Sequence, residues 1–196
     1  MRLVTSAVDL YWIPLGAGGR VVRMNGRVFE RLVAWRERRA PLDLYHAALV
    51  VAVPEGRFAI ESTPVPDANG NERGVVAGGA VGSRWAGGLR IFRYEVRCWR
   101  DGVIPDLAYA VGGPRRLTHD DAVARRVLEV APTLPSPVWG RDELRAGEMW
   151  NSNSIVAWLL ARAGFDMAAV AMPRGGRAPG WNAGIVVAGR AGGRGA

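Results

Sequence analysis

A chain of 196 residues, 49% hydrophobic and 22% charged, can bury one core, is short for two full-sized ones, and is too apolar to be disordered throughout. Its net charge of +8 points at first to phosphate, yet all 26 basic residues are arginine and they scatter over helix, strand and loop positions, so a nucleic-acid partner is not expected. The lone Cys98 excludes an internal disulfide and a cysteine-based metal cluster, and fits a reducing compartment.

Asp9 and Pro14 interrupt the apolar stretch at the N-terminus, which therefore lacks the h-region of a signal peptide. No run approaches the roughly 20 apolar residues of a membrane span. A cytoplasmic protein with a single domain over 1–188 and a flexible Gly/Arg tail over 189–196 is the expectation.

In chain order, VDLYWIPLG (8–16) predicts a strand closed by a glycine turn, which lacks the spacing of a dinucleotide fingerprint. Val28, Leu32 and Trp35, with Phe29 and Val33, form a stripe that predicts a helix over 25–39 covering a sheet. LYHAALVVAV (44–53) and RFAIESTPV (57–65), separated by PEG, predict a hairpin. Residues 66–90 read as a long excursion with a short apolar piece at 75–81, and RIFRYEVRCW as a half-buried strand with Cys98 on its apolar face, a core residue before a nucleophile. THDDAVARRVLEVA predicts a helix capped by Thr118, with Asp120 and Asp121 in its first turn; adjacent helix positions diverge, which argues against His119 and these aspartates as a metal site. A last helix over 153–163, stopped by Gly164, and a closing strand at 184–188 after Trp181 complete an α+β plan.

The polar cluster Asn151-Ser152-Asn153-Ser154 starts that last helix. Serine or asparagine there caps orphan amides, and the same amides and dipole favour a nucleophile or an anion. Asn151 and Asn153 are accordingly candidate binding residues as well as candidate caps. His46 begins one hairpin strand, and Glu61 is the single acid in the apolar run of the other, so antiparallel pairing would let Glu61 orient the imidazole. Trp139, Trp150 and Trp181 could line an acyl or aromatic pocket, or pack in the core.

Taken together, YHAALVV, FAIEST and NSNSIVAWLL resemble the circularly permuted papain-like hydrolases, which include NlpC-type peptidases and lecithin:retinol acyltransferase-like proteins. The resemblance, over roughly 44–164, implies an antiparallel sheet packed against a nucleophile-bearing helix. It gives His46 the role of general base, Glu61 that of orienting partner, and Ser152 the position of the family's cysteine. A hydrolase or acyltransferase acting on an amide or ester follows. The alternative is a catalytically degenerate domain that binds a peptide, lipid or protein partner, because a serine needs an aligned base and an oxyanion hole where a thiol ionises more readily. No cofactor and no metal are expected.

Overall fold

The run DLYHAALVVAV holds too few polar residues for a strand with one wet face. In the structure, a computed structural model that describes residues 5–17, 30–64 and 74–192, it forms β2 (Asp43–Val53), buried continuously from Ala47. Its neighbours are β1 (Ala7–Pro14) and β3 (Gly56–Pro64). The sheet runs β4 (Val75–Ala80), β5 (Arg93–Arg100), β3, β2, β1, β6 (Arg115–Thr118), every adjacent pair antiparallel. The two-residue β7 (Gly176–Arg177) lies parallel to the start of β2. The helices are α1, described over 30–37, α2 (Asp121–Val130), α3 (Ser152–Arg162) and α4 (Trp181–Gly192). This is a mixed α+β architecture, and no helix among the described residues is long and apolar enough to cross a membrane.

Strand alternation divides the core in two. Val8, Leu10 and Trp12 of β1, with Tyr45, Ala47, Leu49 and Val51 of β2, face the helices, where Val127, Ile155 and Leu159 meet them. Tyr11, Ile13, Ala48, Val50 and Ala59 face the other way and are covered by Ile104, with Leu107 and Ala110, from the loop after β5. His46 belongs by alternation to this second face.

The predicted hairpin is present, with register from Leu49↔Ile60 to Val53↔Gly56. Beyond Leu49 the partners change: β3 continues against β5 alone, while β2 keeps β1 and receives β7 at Asp43 and Leu44. The sheet therefore forks between the first half of β2 and the second half of β3.

The structure departs from four expectations. Residues 184–188 are helical, inside α4, although Ile185, Val186 and Val187 favour a strand. Close packing on α3 overrides that preference: a Cβ on Gly184 would lie 2.2 Å from the Ser154 carbonyl oxygen, so only glycine permits the approach. α4 also runs to Gly192, four residues into the segment read as tail. Thirdly, the stripe on α1 does not cover the sheet, since Leu32 and Trp35 are 62% and 81% exposed while Ala34 and Glu30 are buried. The start of that predicted helix, with Val28 and Phe29, lies outside the described residues. Fourthly, the cap of α2 is Asp120, whose carboxylate accepts from the Val123 N–H at 3.1 Å; Thr118 instead accepts from the Asp120 N–H. β6, just before it, carries no alternation in its four residues to announce a strand.

Candidate functional site

The start of α3 fills the fork. Asn151 is its cap, accepting at Oδ1 from the N–H groups of Asn153 (2.9 Å) and Ser154 (3.3 Å). Ser154 reciprocates as a capping box, accepting from the Asn151 N–H at 3.1 Å and donating to the Gly180 carbonyl at 2.7 Å. Gly164, at φ +92°, follows the last turn as the sequence predicts.

Asn153 ties this helix start to the sheet. Its Oδ1 accepts from the Ala47 N–H at 2.7 Å, and its Nδ2 donates to the carbonyls of Tyr45 (3.0 Å) and Pro179 (2.9 Å). The side-chain amide thus satisfies the β2 edge on either side of His46, where β3 has turned away. Asn153 is 3% exposed, so these bonds replace water on groups that would be costly to leave unpaired. The candidate binding residues Asn151 and Asn153 act here as cap and as clamp.

With the capping done by its neighbours, Ser152 becomes the first helical residue. Its hydroxyl makes no hydrogen bond among the described residues, and no acidic residue in the first turn offsets the positive helix end. Ser152 lines a cleft of about 500 Å³ together with His46, Glu61, Ala47, Ile104 and Trp139. The three residues singled out from sequence therefore border one cavity, on a wall that is mostly apolar.

His46 is held by a carboxylate that the sequence did not reveal. Its Nε2 lies 2.8 Å from Oδ2 of Asp106, in the loop after β5. Burial alone would push the Asp106 carboxyl up, but the hydrogen bond and charge of His46 outweigh it and hold the group below the usual aspartate value. Nδ1 of His46 has no hydrogen-bond partner among the described residues, and no hydrogen bond joins His46 to Ser152. Glu61 shares the sheet face of His46 by alternation and contributes to the cleft wall.

The remaining candidates are accounted for elsewhere. Cys98 packs half-buried against the core, where burial pushes its thiol up to about 11 and keeps it protonated. His119 is exposed beside Arg116, and no group of three His, Cys, Asp or Glu side chains suited to a metal occurs among the described residues. Trp150 and Trp181 are core residues, the latter against Trp12 at 4.9 Å; only Trp139 reaches the cleft. Comparison with protein-family models, with curated proteins and with solved structures finds no match for this chain.

Proposed function

We propose that the chain is an acyl hydrolase or acyltransferase of the permuted papain-like kind, acting on an ester or amide, with Ser152 as nucleophile, His46 as base and Asp106 as the residue that positions His46. One observation carries this reading: Asn151 and Ser154 do all the capping, leaving an uncommitted hydroxyl at a helix N-terminus, on the same cleft as an aspartate-held histidine.

The chemistry follows from the placement. The Ser152 Oγ attacks the carbonyl carbon, its proton passes to Nδ1 of His46, and the carbonyl π electrons move onto oxygen. The Ser152 N–H and the uncompensated helix end stabilise that oxyanion. Collapse restores the carbonyl, breaks the bond to the leaving group, which takes the proton from His46, and leaves an acyl-serine. Water or an acceptor alcohol or amine then repeats the steps in reverse. Asp106 retains its charge and fixes the imidazole tautomer that presents Nδ1 as the acceptor. Ala47, Ile104, Pro105 and Trp139 would receive an apolar acyl portion.

A second reading, a cleft that binds such a ligand without turning it over, is favoured by the missing hydrogen bond between His46 and Ser152. A fluorophosphonate probe separates the two. Labelling of the native chain between about pH 6 and 9, abolished by Ser152→Ala and by His46→Ala, supports catalysis. No labelling anywhere in that range leaves the binding reading alone.

A further inference from the structure

Between β4 and β5 the chain SRWAGGLRIFR forms two short 3-10 turns, Trp85–Gly88 and Arg90–Phe92. Trp85, Leu89, Ile91 and Phe92 are 85%, 58%, 65% and 41% exposed. Single exposed apolar side chains are ordinary, but a group this dense in eight residues marks a surface that meets something apolar.

The segment is held in place. Ala86 is buried beneath it, the Val81 N–H donates to the Phe92 carbonyl at 2.7 Å, and the Leu89 N–H donates to the Ala86 carbonyl at 2.9 Å. Gly87 lies flush on β4, where a Cβ would come within 2.7 Å of the Ala80 methyl. The end of β4 is braced in turn by Trp139, whose N–H donates to the Ala80 carbonyl at 2.9 Å and whose carbonyl accepts from the Gly82 N–H.

Arginines border the apolar residues. Arg84 and Arg93 line a hollow of about 280 Å³ with Gly79, Gly87 and Ser136, and Arg90 with Arg93 lines a neighbouring one. Arg84 is paired with Glu143; Arg93 has no carboxylate partner among the described residues.

We propose that this segment docks the protein on an anionic phospholipid bilayer, with Trp85, Leu89 and Ile91 entering the interface and Arg93 meeting lipid phosphates. The exposed apolar side chains stand on two tight turns and are bordered by arginines, a pairing of apolar and cationic groups that an anionic bilayer complements in both respects. Tryptophan suits the headgroup boundary, and guanidinium binds phosphate through paired hydrogen bonds. The docking stands independently of the chemistry assigned to the cleft.

Vesicle flotation tests it with the full chain. The native protein is expected to float with phosphatidylcholine vesicles containing about 30% phosphatidylglycerol and far less with phosphatidylcholine alone. The double variant Trp85→Ser/Ile91→Ser keeps every charge and is expected to bind about tenfold more weakly, whereas Arg93→Gln reduces the preference for the anionic lipid. Lipids brominated along their acyl chains should quench more emission in the native chain than in Trp85→Phe, a readout that requires little change in the protein. Equal binding by the charge-preserving double variant would reduce the effect to diffuse attraction of a +8 chain and overturn the proposal. Failure of the native chain to float with either vesicle overturns it too, including when a protein partner is found for the same segment.

Discussion

The starts of α2 and α3 meet the same requirement, orphan amides at a helix N-terminus, with opposite chemistry. At α2 an acid does the work in solvent: Asp120 caps the Val123 N–H, and Asp121 sits in the first turn, bonded by the Ser6 hydroxyl and by Arg125. Those two hydrogen bonds, Ser6 first, hold the Asp121 carboxyl below its usual range. At α3 the cap is neutral, Asn153 and Ser154 are buried, and the first turn contains no acid. The helix dipole is offset locally at α2 and left facing the cleft at α3. A start that is merely stable can carry its own counter-charge, whereas one that stabilises a developing anion has to leave that place open.

Removing the carboxylate behind His46 tests the catalytic reading of the α3 start most severely. Asp106→Asn should lower the fluorophosphonate labelling rate of Ser152 by about 10²–10⁴-fold through loss of the productive tautomer, with probe affinity little changed. A rate within a factor of about two of native would remove Asp106 from the positioning role. Neither Asp120→Ala nor Thr118→Ala, at the other helix, should alter labelling.

Stability should separate the two starts as well. Asn153→Ala unpairs the Ala47 N–H and the Tyr45 carbonyl in a buried setting, with an expected loss of about 3 kcal/mol, against about 1 kcal/mol for Asp120→Ala in solvent. Urea midpoints measure both. Equal losses would mean that the α3 start is held by its helix packing and not by the clamp.

The smallest expected effect is a pH dependence. The folded Asp106 carboxyl lies below its unfolded value of about 3.9, so its contribution is complete above that value and disappears as pH falls through the lower folded value. The stability difference between native and Asp106→Asn should therefore close as pH falls below about 4. A difference that persists unchanged down to about pH 2 contradicts the His46–Asp106 pairing.

Local pattern made much of this molecule legible. The apolar run of β2, the turn at 54–55 and the cap and glycine stop of α3 are properties of neighbouring residues, and they appear where the sequence puts them. The shared cleft of His46, Glu61 and Ser152 was approachable because hairpin pairing and helix capping bring rare residue types toward one end. Asp106 was not: it lies 60 residues from His46 in an irregular loop, where nothing distinguishes it from other loop aspartates. The strand expected at 184–188 is a helix, because the strand-favouring Ile185, Val186 and Val187 are outweighed by a glycine whose value appears only when α3 lies against it. The apolar stripe of α1 at Leu32 and Trp35 stays exposed, since a helical stripe states that one side is apolar and not that anything covers it.

By itself the sequence determined the helix start at 151–154, because capping joins residues two or three apart through their own backbone. It equally determined the central strand, whose apolar length admits little else. Only the tertiary structure decided that Asn151 takes the cap and releases Ser152, that Asn153 replaces a missing strand partner beside His46, and that Asp106 supplies the carboxylate. Those outcomes depend on which distant backbone groups lack a partner once the sheet forks, a condition set by packing and by no local pattern.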